Sequence, residues 1–339
     1  MQFLNRWTID VEKIPEYQSF RNKFTVKVDR QLLQLLRDVP ELQPMLQTPD
    51  PKYTDITQLN MINNVIDHTS QVTNKIKLQH FQKYKVGRFY GYILPDSNTS
   101  ITPVVMSRHL KHTLFAYMNM LDLDMVKGHM TIIYQVALKN SLTLGTFYNV
   151  ITNFETIATE ISKFYTFDEE FPITQEEIKL LFNATIYGGN LNTWFSSLEK
   201  EGIIVSNREP HPTYTSFLSE CNVIISLVFA NNNALTTLIK KPQVDESEFK
   251  LKNRTMSYWC QIIENEILHI ATIQLEGAKV LVKNTYLLEY DGICLPQPPS
   301  NIDLSRQLAI LNSVIRGQLS WKYYLNGKVI IRNIFITMS

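Results

Sequence analysis

Between Thr174 and Tyr187 the hydrophobic and polar positions separate into two helical stripes. Ile178, Leu181, Phe182, Thr185 and Ile186 recur at three- and four-residue spacing, the pattern of a helix face turned toward a core. Gln175, Lys179, Asn183 and Tyr187 recur every four residues on another face. Thr174 with Glu177 forms a capping-box pair and Gly188-Gly189 supply a stop, so one amphipathic helix is predicted over 174–187. A packed helix does not need the polar row. A Lys and a Tyr at that separation suit a nucleoside triphosphate, with the ammonium on the phosphates and the ring against base and sugar. Taken alone, the row also reads as a solvated face.

Elsewhere the pattern predicts helices over 30–37 and 58–82, separated by the proline-containing stretch 40–51, so residues 1–80 read as mainly helical. Residues 83–94 read as an aromatic-rich strand stopped by Pro95. A helix near 107–116, a short strand over 118–124 and a helix to about 138 follow. Long helical patterns cover 146–164, 192–200, 213–240 and 255–276. The chain then returns to β character, with strand–turn–strand over 279–295, a helix near 304–319 and a β segment over 323–337. Helices and strands without regular βα alternation predict an α+β fold rather than a doubly wound parallel sheet. No internal repeat or low-complexity linker interrupts it.

Composition narrows the classes. At 339 residues, 44% hydrophobic and 19% charged, the chain has the balance of a globular protein of two or three subdomains. No apolar run approaches the ~18 residues of a membrane span, and the first seven residues lack the apolar stretch of a signal peptide. Cys221, Cys260 and Cys294 are too few and too scattered for a disulfide scaffold or a zinc site, which implies an intracellular, reducing compartment. The formal net charge of +1 lacks the basic excess usual in nucleic-acid binders, so such a role would need a local basic groove.

Two carboxylate motifs flank the amphipathic helix. In Met118-Asn-Met-Leu121-Asp122-Leu123-Asp124 the strand period sets the leucines on one face and the aspartates on the other, a ready oxygen site for Mg²⁺. In Tyr286-Leu-Leu-Glu-Tyr290-Asp291-Gly292-Ile-Cys-Leu295, apolar residues enclose an Asp-Gly, the composition of a tight hairpin turn with Asp291 at its tip. Taken alone, each aspartate motif reads more readily as a structural turn or strand end than as a metal site.

In order and separation the three motifs resemble the superfamily of family A DNA polymerases and single-subunit phage-type RNA polymerases. That pattern is an Asp ending a palm strand, a fingers helix of Lys, seven residues and Tyr-Gly, then an Asp in a palm hairpin. Here these are Asp124, Lys179 to Tyr187-Gly188, and Asp291. The segment from Asp122 to His129 also resembles the Asp-x-Asp-x-Val-x-x-His run of the divergent transposon–virus polymerase branch found in virophages, often fused to a superfamily 3 helicase. Upstream, Gly87-Arg88-Phe89-Tyr90 resembles the Gly-Arg strand that touches primer–template backbone, and Arg108 begins a basic segment able to meet phosphates.

The resemblance implies a right-hand polymerase: an accessory, thumb-like region in 1–82, palm in 83–145 and 251–339, and fingers in 146–250. It implies Mg²⁺ or Mn²⁺ on Asp124, Asp291 and the Met125 backbone carbonyl, with Asp122 in support, and Lys179 on the triphosphate. Gln175, Asn183, Tyr187, Gly188 and His129 would meet the nucleotide, and Arg88, Tyr90 and Arg108 the primer–template. The implied partners are DNA (or RNA) template and primer, a dNTP or NTP, and a fused or associated helicase, with no membrane. For a virus the setting would be the host cytoplasm or a viral factory.

The chain departs from the pattern at several points. His129 stands where DNA polymerases place a Glu that crowds the ribose 2′-OH. Gln175 replaces an Arg, Asn183 a Phe, Tyr290 a His, and Gly292 an acidic residue. A primase or primer-independent RNA polymerase is the alternative within the class; a catalytically degenerate nucleic-acid-binding or helicase-partner module is the alternative outside it. Glu264 and Glu266, on the helix predicted over 255–276, are expected to be solvated and are assigned no chemistry. His68 and His269 are expected to be packed or exposed side chains rather than ligands.

Overall fold

The computed structural model describes residues 6–21, 23–50, 53–82, 86–93, 120–125, 127–166, 172–241, 246–289, 292–296, 298–304, 306–307, 309–311, 313 and 329–333. They form an α+β protein in two compact units. One takes Pro15–Met125, Ile267–Ile315 and Lys328–Ser339; the other takes Met1–Ile14, Val126–Glu266 and Arg316–Gly327. The segment 146–250 falls wholly in the second unit, whereas 83–145 and 251–339 contribute to both.

The first unit is organised by strands whose apolar side chains alternate. β1 (Lys23–Lys27) and β4 (Lys75–Gln82) bury Phe24, Val26, Ile76 and Leu78 while the lysines between them face water. With β5 (Phe89–Ile93) they make a three-stranded antiparallel sheet in the order β1-β4-β5. Helices α1 (Arg30–Asp38), α2 (Gln43–Gln47) and α3 (Gln58–His68) cover it with Leu33, Leu46, Met61, Ile62 and Val65. Between α2 and α3 lies a small antiparallel pair, β2 (Pro49–Asp50) with β3 (Tyr53–Thr57). Four further strands form a second sheet: β6 (Met120–Met125), β7 (Leu287–Glu289), β8 (Gly292–Pro296) and β9 (Val329–Asn333), in the order β7-β8-β6-β9, all antiparallel.

Strands in residues 1–82 correct the expectation of a mainly helical region. The predicted helix over 58–82 ends at His68, because Lys75-Ile-Lys-Leu-Gln-His-Phe-Gln alternates with period two and its apolar half is wanted by the sheet. The predicted strand over 83–94 is represented by β5, and that over 279–295 by the shorter β7 and β8. Residues 304–313 include helical positions and β9 lies within 323–337. The helix expected over 107–116 lies outside the described residues.

The second unit is helical among its described residues: α4 (Gly128–Lys139), α5 (Gly145–Thr152), α6 (Phe154–Tyr165), α7 (Gln175–Ile186), α8 (Leu191–Lys200), α9 (Pro212–Asn231), α10 (Asn233–Ile239) and the first part of α11 (Glu248–Gly277). Phe217 anchors the core, stacked on Phe147 at 4.4 Å and met edge-on by Phe182 at 4.8 Å. Two predicted helices are each broken. The 146–164 pattern divides at Asn153, whose side-chain amide donates to the Asn149 side chain, and the 213–240 pattern divides at Asn232. Asn232 accepts the Ile9 N–H at 2.7 Å and donates to the Trp7 carbonyl at 2.7 Å, so the break docks the N-terminal segment, whose Trp7 stacks on Trp259. Among the described residues one helix, α9, is long and apolar enough to cross a membrane by length and composition alone, although serines, threonines and Glu220 interrupt its apolar positions. It buries Tyr214, Phe217, Cys221, Ile224, Ile225 and Val228 within its own unit.

Candidate active site

In the first unit, β6 carries Asp122 and Asp124. Leu123 between them is buried, so the strand period sets positions 122 and 124 on the opposite face of the sheet. Asp124 pairs with Gly292 of β8 on one side and Ile330 of β9 on the other. Asp122 pairs with Cys294 and Arg332, and the half-buried Met125 with Val329. Asp291 and Tyr290 lie outside the described residues, but Gly292, next in sequence to Asp291, is the direct cross-strand neighbour of Asp124. Antiparallel partners stand about 4.5–5.5 Å apart at Cα. Among the described residues no three His, Cys, Asp or Glu side chains gather as a metal site.

Gly87 adopts a left-handed φ of 100° and leads into β5. Phe89 turns inward against Phe20 at 5.2 Å, so the half-buried Arg88 and Tyr90 fall on the other face. Arg108 lies outside the described residues.

In the second unit, α7 is built as its sequence dictates. The Thr174 N–H donates to the Glu177 carboxylate, and the Glu177 N–H donates to Thr174 Oγ1 at 3.3 Å, completing the capping box. At the other end Gly188 N–H reaches the Thr185 carbonyl at 3.0 Å and Gly189 N–H the Ala184 carbonyl at 2.8 Å, with Gly188 at φ +76°. This is a Schellman stop, for which glycine is the natural residue. Gly188 has a second reason: a Cβ there would collide with the Asn253 side chain of α11.

The polar row emerges from the core on the expected face. Gln175 is exposed, while Lys179, Asn183 and Tyr187 are half-buried. Lys179 forms an exposed ion pair with Glu176 at 3.3 Å. Its charge also bears on Lys127, whose ammonium donates to the Val150 and Ile151 carbonyls at 3.2 and 2.7 Å and sits 4.8 Å from the Phe154 ring centroid. Burial depresses the Lys127 pKa to about 8, with Glu155 opposing and Lys179 reinforcing the shift. Lys127 holds a left-handed φ of 52°, and α4 starts immediately after it.

That start presents His129 toward α7. His129 Nδ1 meets the Tyr187 hydroxyl, and its Nε2 lies 2.5 Å from a carboxylate oxygen of Glu264 on α11. The rings of His129 and Tyr187 cross edge-on at 5.8 Å between centroids. Glu264 is fully buried and the His129 side chain 13% exposed. The burial of Glu264, and of Glu266, corrects the expectation of solvated glutamates. A signal was present: Cys260, Ile263 and Ile267 lie within four residues of position 264 on the same side of the helix, so an apolar stripe runs through it. Asn253 and Lys127 carried no comparable signal. His68 and His269 are packed, against the Asn64 carbonyl and the Tyr17 and Phe20 rings respectively.

No family model matches the chain. No curated protein matches it either. Among solved structures, the chain is similar to the POL domain of Pol1 from M. smegmatis in complex with DNA primer-template and dNTP, at 12% identity and a TM-score of 0.44, covering 90% of this chain and 66% of that one. The chain thus spans just under two thirds of that structure's length.

Proposed function

We propose that this chain is a template-directed nucleotidyltransferase of the right-hand polymerase type, a DNA polymerase of a virus, virophage or mobile element. The observation that carries the reading is the meeting of His129 with Tyr187. The motif pattern singles out these two residues for one task, contact with the incoming nucleotide, from segments 58 residues apart, and they are in direct side-chain contact. The pairing of Asp124 with the residue after Asp291 gives further support.

In this reading Asp124, Asp291 and the Met125 carbonyl would hold Mg²⁺ or Mn²⁺. The donor set fits, since all three offer the hard oxygens those ions prefer. Bound there, the ions supply Lewis acidity toward a primer 3′-OH and the leaving pyrophosphate. Asp122, two residues before Asp124 on the same strand, would support this set with a second negative charge. Lys179 neutralises the triphosphate and exchanges Glu176, a weak surface partner, for a stronger one. Tyr187 packs against base and sugar at the end of α7, where the Schellman turn and Asn253 fix the helix terminus. Gln175 and Asn183 complete the polar row as hydrogen-bonding groups, and Arg88, Tyr90 and Arg108 contact primer–template backbone.

Primer extension on a DNA template with Mg²⁺ or Mn²⁺ tests the reading, with Asp124→Ala as control. Incorporation of dNTPs that the variant abolishes is the expected result. Ribonucleotide incorporation without primer would make the chain a primase. Template binding with no incorporation under any condition would overturn the catalytic reading and leave a binding module, such as a helicase partner.

A further inference from the structure

The hydrogen-bonded row Glu264–His129–Tyr187 contains one member that no sequence motif marked. From its geometry we infer that Glu264 is a positioning residue, whose buried carboxylate locks His129, and through it Tyr187, into a rigid wall that selects deoxyribonucleotides. The inference rests on the nucleotidyltransferase reading above.

With Glu264 ionised, its oxygen 2.5 Å from Nε2 is an acceptor and puts the hydrogen on that nitrogen. In the neutral ring Nδ1 is then the acceptor, and the Tyr187 hydroxyl is the donor that faces it. The imidazole is therefore held at both nitrogens, and a ring held at both ends cannot swing aside about its χ angles. Glu264 is itself fixed, since it is fully buried on a helix and its charge-assisted bond is the strong member of the row. Without the carboxylate, Nε2 loses the acceptor that fixes the tautomer, and the Tyr187 hydroxyl no longer faces an obligatory acceptor. A 2′-hydroxyl costs nothing to admit where the wall can yield, and is rejected where it cannot.

The test uses the full chain on a primer–template whose primer ends in a dideoxynucleotide, so that binding is read without chemistry. Equilibrium dialysis compares radiolabelled dATP and ATP opposite template thymine, for wild type, Glu264→Leu and Glu264→Gln. The wild type is expected to favour dATP. Removal of the acceptor in Glu264→Leu should cut that preference by about tenfold. The isosteric Glu264→Gln keeps an uncharged acceptor and should cut it by about threefold. Histidine-selective ¹⁵N NMR on the same proteins should show a protonated Nε2 at His129 in wild type and a mixed tautomer in Glu264→Leu, with Tyr187→Phe serving to perturb Nδ1 alone.

A folded Glu264→Leu that keeps the wild-type preference overturns the proposal. Should that variant not fold, an unchanged preference in Glu264→Gln overturns it instead. Wild type that binds neither nucleotide, or prefers ATP, also overturns it. Selective binding by wild type that Glu264→Leu loses, together with failure of primer extension, leaves this assignment standing and removes only the catalytic reading.

Discussion

Leu288 of β7 donates its backbone N–H to Nε2 of His80 on β4 at 3.1 Å, joining the three-stranded sheet to the strand that precedes the Asp291-Gly292 motif in sequence. His80 Nδ1 donates in turn to the Phe20 carbonyl at 3.2 Å, and the ring stacks on Phe24 at 4.4 Å. One buried imidazole thus satisfies two backbone groups, as donor to one and acceptor from the other, and only its neutral form can do so.

Burial pushes the His80 pKa down to about 3, against a small opposing pull from the Phe20 carbonyl. The folded state therefore binds fewer protons than the unfolded state between that value and the ordinary histidine value of about 6.5. Stability from this group is complete above pH ~6.5 and falls with acidification by about 1.4 kcal/mol per pH unit until pH ~3. Urea unfolding at pH 7, 6, 5 and 4 should show that slope, and His80→Leu should be less stable at pH 7 with the slope reduced. Equal slopes in both proteins would rule His80 out as the source.

Gly188→Ala should destabilise the protein by about 1–2 kcal/mol through the left-handed backbone alone. The added collision with Asn253 makes the cost larger. Thermal unfolding of Gly188→Ala and of Gly188→Ala with Asn253→Ala separates the terms. The double variant should recover the steric part and retain the backbone part.

Lys179→Ala should leave stability within about 0.5 kcal/mol, because its ion pair with Glu176 is exposed and such pairs contribute little. Under the proposed nucleotidyltransferase reading, the same change should lower kcat/KM for nucleotide incorporation by about a hundredfold, the scale of losing one preorganised cation at a transferring phosphate. A stability loss with unchanged kinetics would reassign Lys179 to the fold.

Lys127→Met keeps the stem but removes the ammonium from the Val150 and Ile151 carbonyls. A loss of about 1–3 kcal/mol is expected, since both acceptors belong to the end of α5 and are part-buried. Denaturant midpoints give the cost. A change below about 0.5 kcal/mol would mean that water replaces the ammonium without penalty.

Helix α7 was legible in the sequence down to its caps and its five buried positions. Capping boxes, glycine stops and 3.6-residue periodicity are local properties, set by residues within one or two turns. The alternation of Met118–Asp124 likewise announced the strand that β6 forms and the inward turn of Leu123, for the same local reason. The stretch Lys75–Gln82 shows the limit. Its alternation is visible, yet it follows a helical pattern without a proline to divide them, and what separates the two is a sheet waiting for Ile76 and Leu78.

What the sequence determined by itself is therefore each element's own character: where α7 begins and stops, which face it buries, and which residue types stand in the Asp, Lys–Tyr-Gly and Asp-Gly motifs. What only the tertiary structure decided is which polar groups meet. Glu264 comes to His129 from a helix 135 residues away, and His80 comes to Leu288 from 208 residues away. No local pattern encodes such a pairing. A buried carboxylate or imidazole is tolerated only where the folded chain brings it a partner, and that partner is supplied by packing rather than by neighbours in sequence.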